Sequence, residues 1–445
     1  MAFQNNSLKG SSIARRCGLV RMLVRTNVTM KFRLTPWLAA FICSFSTLCV
    51  SGSGFYLSVF QPEDRVAIVG NSFADQMRKY SYFETLVRYY HPEYNLSFRN
   101  LGWAGDTLAD RARPENFPSE RETLKNFGAS KILICFGMAD SLDGAEGLDE
   151  FSKQLEALCD RYSNEIYNGS EAPGLVLISP TAIESSPGVE NVEVPNLVLA
   201  SYVEAIRSFA AERSIPYVDL FTSTKALMKD VNGSKLTSNG VLLNAYGYWV
   251  VSYLMVEAMM RDEIYFDATA EVGDLNLSYS WNSGPRDFKQ LGGNYSWKTV
   301  RSSWDLPPPA GSKVHDSIRK KRGKLVASSL GSGIYSLELN GKLVGRGTNE
   351  EWANGIHLED FGTNLVLEEL RQEVVDKNAQ FVFSWKSLNQ VHIVGERKKS
   401  PSGRAIPGEL IQFHELAEAK EAQLKQQFSA LAEKESTWKL KRDLD

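Results

Sequence analysis

The stretch "RVAIVGNSFADQ", residues 65–76, decides the fold reading. Its first six residues are a short, apolar, β-rich run, and a helical pattern follows from about residue 74 to 90. The same alternation continues outward along the chain. Further runs of this kind are "LSFRNLG" (96–102), "KILICFG" (131–137), "GLVLISP" (174–180) and "IPYVDL" (215–220). Helical patterns lie between them at about 118–127, 147–167 and 195–213, and "NAYGYWVVSYLMVEAMM" (244–260) adds a last one. Five strands with intervening helices predict an α/β domain with a parallel sheet covered on both faces. Ligands of such sheets sit outside the carboxyl ends of the strands. The residues just after each strand are therefore the candidates for function.

After the first strand come Gly70, Asn71 and Ser72. A serine between strand and helix sits where the helix N-terminus favours developing negative charge. The same residues also suit plain helix capping, and the two readings stand side by side. After the second strand comes "RNLGWAGDTLAD", whose glycines can turn backbone N–H groups into the same crevice or make an ordinary turn. After the third comes "CFGMADSLDG", and before the last helix "LTSNGVLLNAYGYW" (236–249).

In this order and spacing, the four stretches resemble the SGNH (GDSL-like) hydrolase superfamily, over about 65–260. The exported bacterial, planctomycete-type members with β-rich and helical extensions look most similar. The resemblance implies a three-layer, flavodoxin-like fold with a five-stranded parallel sheet, and serine ester hydrolysis. Its first block is G-D-S with a nucleophilic serine. Its second carries an oxyanion glycine in N-x-x-x-x-G-D-T, and its third, G-x-N-D, an oxyanion asparagine. Its last, D-x-x-H, carries the base and the carboxylate that orients it. Here the resemblance makes Ser72 the candidate nucleophile and Gly105, in "NLGWAGDT", the candidate oxyanion N–H. Elsewhere the chemistry-bearing side chains are replaced. Asn71 stands for the aspartate of the first block, Ala139 for the asparagine of the third, Asn239 for the aspartate of the last and Leu242 for its histidine. The framework residues Gly70, Gly137, Asp140, Gly240, Asn244 and Gly247 fit.

These losses have a physical meaning. A serine hydroxyl is a weak nucleophile without an adjacent base, and leucine cannot take its proton. Removing a triad base costs about 10^6 in turnover in subtilisin, and removing a side-chain oxyanion donor about 10^2–10^3. The chain has five histidines, His91, His315, His357, His392 and His414, and none lies between 92 and 314. His91 belongs at a helix end. His357, in "NGIHLED", has the most loop-like context for reaching the crevice. Asp75, Asp106 and Asp140 are the nearby carboxylates, but a carboxylate is a poor base at neutral pH unless its pKa is raised.

Residues Leu34 to Gln61 carry no charge and follow Lys31-Phe32-Arg33. With "SGSG" as a cleavage region, 1–53 read as an N-terminal extension and secretory signal, or as a membrane anchor if uncleaved. The expected location is periplasmic or extracellular, with no membrane span after cleavage. A net charge of -3 argues against a nucleic-acid partner. No CxxC or His/Cys cluster occurs, and neither a metal nor another cofactor is expected. Cys135 and Cys159 read as buried thiols.

The expected domains are 60–262 for the α/β unit, 263–350 for a small β-rich module and 351–445 for a helical segment ending in a frayed "KLKRDLD". "GIYSLELNGKLVGRGT" (333–348) reads as a hairpin turning at Asn340-Gly341. Aromatics in "LSYSWN" and "YSWKTVRSSW" suit sugar stacking or core packing. The amphipathic stretch 409–436 suits packing on its own domain or self-association. The expected function is that of an exported ester (acyl or acetyl) hydrolase by resemblance, impaired in catalysis. The alternative is a non-catalytic protein on the same scaffold, either binding a carbohydrate or acyl-ester ligand or serving in assembly.

Overall fold

A computed structural model of the chain describes residues 58–114, 117–260, 269–272, 277–279, 286–300, 306–319, 324–357, 365–393 and 395–443. The signal or anchor expected within 1–53 lies outside the described residues. Five strands, β1 (Arg65–Gly70), β2 (Ser97–Asn100), β3 (Lys131–Cys135), β4 (Gly174–Ile178) and β5 (Tyr217–Val218), form a parallel sheet in the order β2-β1-β3-β4-β5. Successive side chains of a strand point to opposite faces, and here both faces are buried. Val66 and Ile68 join one core cluster, and Ala67 and Val69 the other. The first face is covered by α1 (Ser72–Tyr80), α2 (Tyr82–Tyr90) and, later in the chain, α7 (Ala245–Met259). The second is covered by α3 (Glu120–Phe127), α4 (Leu148–Ser163) and α5 (Glu193–Arg213). A shorter helix, α6 (Leu220–Leu227), follows β5. This is the three-layer α/β architecture expected.

The helix expected from 74 to 90 begins two residues early and is broken. Ser81 adopts a left-handed conformation (φ 51°), which ends α1 and redirects the chain into α2. Every residue of α2 is buried, because α7 and the C-terminal helices both pack against it.

The C-terminal helices are α9 (Leu365–Lys386) and α10 (Pro401–Glu433). Leu367, Leu370 and Val374 of α9 join one core cluster, and Phe381 and Trp385 the other, so the helical pair closes over the β2 edge of the sheet. Covering an edge strand removes a site for unwanted pairing. The contact is sealed by buried charges. Arg88 of α2 and Arg99 of β2 both pair with Glu421 of α10, and Lys377 of α9, fully buried, pairs with Glu84 of α2 at 2.7 Å.

The β-rich module holds a small sheet of β6 (Thr269–Val272), β7 (Leu277–Tyr279) and β10 (Lys324–Ala327). A larger antiparallel sheet comprises β8 (Arg286–Leu291), β9 (Asn294–Val300), β11 (Ile334–Leu339), β12 (Lys342–Thr348) and β13 (Glu435–Arg442), in the order β12-β11-β13-β9-β8. The short helix α8 (Asn349–Asn354) follows β12 with a capping box at Thr348. Asn340 and Gly341 both have positive φ, as the hairpin reading requires. The stretch read as a frayed end inside a helical segment is instead a central strand, β13, paired with both β9 and β11. Ser436, Trp438 and Leu440 alternate inward, and Trp438 stacks on Trp297 at 6.0 Å. Tyr295 and Trp297 are thus core residues, not sugar-stacking faces. Among the described residues no helix is long and apolar enough to cross a membrane.

Candidate functional site

The site is built at the carboxyl ends of β1, β3 and β4. At the end of β1 the chain must pass close to β3. A Cβ on Gly70, whose φ is +151°, would lie 2.3 Å from the carbonyl oxygen of Cys135. Glycine is therefore required there. Asn71 caps α1, its Oδ1 accepting from Phe73 N–H at 3.1 Å. Asn71 thus has a local duty, and Ser72 becomes the first residue of the helix. Gly105 N–H, from the loop after β2, points at the serine hydroxyl with N···Oγ 3.4 Å. The two residues singled out as nucleophile and oxyanion donor are brought together.

Ser72 heads a crevice of about 250 Å³. Its walls are mainly apolar, with Phe73, Met138, Pro180, Ile183 and Leu242 among them, and Ala139 also lines it. The four positions at which the resemblance would place other catalytic groups are found as follows. Asn71, Ala139 and Leu242 border the crevice. Asn239 does not line it, and its Oδ1 accepts from the N–H groups of Val241 and Leu242 at 3.1 and 2.8 Å. Asn239 therefore shapes the turn that presents Leu242.

Two carboxylates set the loops around the crevice. Asp140 accepts from Gly137 N–H at 2.9 Å and Leu108 N–H at 2.7 Å, tying the loop after β3 to the loop after β2. Burial pushes its carboxyl up, against the pull of those N–H groups. Glu184, buried just beyond β4, accepts from Thr237 N–H at 2.8 Å, from its hydroxyl at 2.5 Å and from Leu236 N–H at 3.2 Å. Glu184 was not singled out from the sequence. The signal was available, since it follows a strand within "SPTAIESSP".

None of the expected substitute bases reaches Ser72. Asp75 turns to Arg78 at 3.0 Å and Lys386 at 2.5 Å. Burial would raise its carboxyl, but Lys386 and Arg78 outweigh this and hold it below its ordinary range. Asp106 is clamped by Arg113 at 3.0 and 2.7 Å. His91 pairs with Glu93 at 2.8 Å at the end of α2. His315 is buried against Tyr246, 2.8 Å from its hydroxyl, and burial lowers its pKa. Among the described residues no histidine lines the crevice, and no group of three or more His, Cys, Asp or Glu is arranged to hold a metal ion. Chemically, the site can offer a hydroxyl and a backbone N–H to a carbonyl oxygen, beside an apolar slot for its substituent.

Comparisons with known proteins agree with this geometry. Residues 68–250 match the GDSL-like lipase/acylhydrolase family. No curated protein matches the chain. Among solved structures, a gut microbial diltiazem-metabolizing enzyme is similar at a TM-score of 0.65 and 15% identity, over 86% of this chain and 98% of its own. At that identity the likeness is one of fold, and it extends through the C-terminal segments. An acetylxylan esterase from Geobacillus stearothermophilus (18% identity, TM-score 0.36, 45% of this chain and 95% of its own) also matches. So does a GDSL-like lipase, described as putative, from Parabacteroides merdae (15%, 0.37, 45% and 98%). Residues 68–250 thus carry the match to the GDSL-like lipase/acylhydrolase family on the strand order β2-β1-β3-β4-β5, with Ser72 and Gly105 brought together after β1 and β2.

Proposed function

We propose that the protein is an exported bacterial SGNH-type protein that binds an acylated ligand, a carbohydrate ester or small acyl ester, and turns it over poorly. One observation carries this reading: Ser72 lines an intact crevice and remains paired with Gly105 N–H, while position 242, where the family's base would stand, presents a leucine. The crevice supports binding, because it is concave, apolar and furnished with a hydroxyl and an N–H. The leucine at 242 supports weak turnover, because among the described residues no side chain stands ready to take the proton of Ser72. Export is supported by the uncharged run from Leu34 to Gln61 after Lys31-Phe32-Arg33.

The decisive experiment incubates the purified protein with p-nitrophenyl acetate and butyrate and with an acetylated polysaccharide, beside Ser72→Ala. The expected result is thermal stabilisation by the esters with little Ser72-dependent hydrolysis. Robust hydrolysis abolished in Ser72→Ala would show a live esterase and overturn the impaired reading. Absence of any stabilisation would overturn the binding reading. Signal cleavage, as against an uncleaved anchor, is tested by N-terminal sequencing of the purified protein: a start before Leu34 excludes cleavage.

A further inference from the structure

Gly105, whose N–H faces Ser72, has open space where a side chain would stand. A Cβ placed on it would meet nothing within 4 Å. Its loop must therefore be held by its flanks. On one flank Asp106 is gripped by Arg113. On the other, Trp103 lies against two cations: the Arg113 guanidinium 3.9 Å from its ring centroid, and the Lys386 ammonium 4.8 Å from it. Trp103 also meets Trp385 edge-on at 5.4 Å. A cation over an indole face is attracted by the ring quadrupole, the more so when partly desolvated.

Lys386 does a second thing. Its Nζ donates to Oδ1 of Asp75 at 2.5 Å, and Asp75 lies one turn along the helix that Ser72 begins. Lys386 is the last residue of α9 and lies 311 residues from Asp75 and about 280 from Trp103 in sequence. It touches the helix of the serine and the loop of the oxyanion glycine together. An N–H serving a developing or bound oxyanion must be held within a few tenths of an ångström, and groups behind it do that work.

We propose that Lys386 is a positioning residue for the Ser72–Gly105 pair, through which the C-terminal helices set the geometry of a ligand site they do not line. This rests on the reading that a ligand carbonyl sits between Ser72 and Gly105 N–H. Without the ammonium, Trp103 loses one of its two cations and Asp75 keeps only Arg78 and Gln76. The loop then opens locally while the sheet beneath it stays folded.

The test is amide hydrogen exchange of the ligand-free full chain, read beside thermal unfolding. Lys386→Met keeps the aliphatic stem and removes the charge. It is expected to speed exchange of residues 103–108 about tenfold, while Lys386→Arg restores the slow rate. Lys420→Met, which removes the α9–α10 ion pair to Asp376, is the control. It should lower thermal stability without changing exchange of the loop. Unchanged loop exchange in Lys386→Met, or acceleration spread evenly over β1–β5, would overturn the proposal. Should Lys386→Met fail to fold, Trp103→Leu removes the ring that both cations cover and must give the same local opening. A second arm measures stabilisation of Ser72→Ala by p-nitrophenyl butyrate, with and without Lys386→Met, and a smaller shift is expected with it. No shift in Ser72→Ala itself would sink the ligand reading, while the exchange data still decide the positioning role.

Discussion

Ser72 and Leu242 line the same crevice, and the leucine is 43% exposed there. A large apolar side chain so placed is a wall of the site, not part of the core. Its backbone is firmly set, because Leu242 N–H is held by Asn239 and its carbonyl accepts from Ser238 N–H at 2.9 Å.

Under the proposed function, that arrangement suits a base placed at position 242. Aspartate at 239 offers the same oxygen to the turn and adds a charge to orient an imidazole. The double variant Leu242→His with Asn239→Asp is expected to gain Ser72-dependent hydrolysis of p-nitrophenyl butyrate, about tenfold or more over the parent. Steady-state assays with Ser72→Ala as background check it. No gain would show that the serine rotamer or the missing asparagine at Ala139 also limits turnover.

Glu421 joins Arg88, Arg99 and Lys377 where the C-terminal helices meet the sheet. Burial would raise its carboxyl, yet the three cations hold it far below the ordinary glutamate range. Removing one member of a buried charge cluster costs about 3–5 kcal/mol. Glu421→Gln should therefore lower stability strongly at pH 7, as read by urea unfolding. The folded pKa is depressed, so the glutamate's contribution is present above the unfolded value near 4.3 and fades as pH falls below it. The gap between parent and variant should narrow on acidification; a gap constant from pH 7 to 3 contradicts the assignment.

Gly70→Ala tests the close approach of β1 to β3. The added methyl would fall 2.3 Å from a backbone oxygen, in a backbone region that side chains rarely adopt. A loss of about 2–4 kcal/mol is expected by chemical denaturation. A loss below about 0.5 kcal/mol would mean that the strands separate easily.

Glu184→Gln probes the loop behind Leu242. The amide can still accept, but only through one oxygen, and the carboxylate now serves three donors. Charge-assisted bonds are about twice as strong as neutral ones. The expected outcome is faster amide exchange at 236–243, with little change in the loop after β2.

Much of this was legible in the sequence. Alternating apolar runs and helical patterns yielded the parallel sheet, the rule of strand carboxyl ends located the segments of Ser72 and Gly105, and the family resemblance located the loop of Leu242. What was not legible came from tertiary context. Lys386 and Trp385 lie on a helix whose pattern says only that it is amphipathic, and nothing local marks them as neighbours of Trp103 and Asp75. The strand 435–442 was hidden differently. Its alternation of Ser436, Trp438 and Leu440 was present, but four charged residues among them suggested a solvated tail. Such a strand makes sense only once Trp297 and Leu337 are seen on either side.

The place of β13 bears on how the chain comes off the ribosome. Its neighbours β9 and β11 are made more than ninety residues earlier, yet they do not pair with each other, and the gap between them waits for 435–442. During synthesis the α/β domain has all five of its strands early, whereas the second sheet stays open with two unsatisfied edges until nearly all of the described chain has emerged. Strands left waiting in this way are exposed to mispairing and aggregation. Deletion of the final strand should therefore reduce the yield of folded protein more than its eight residues would suggest.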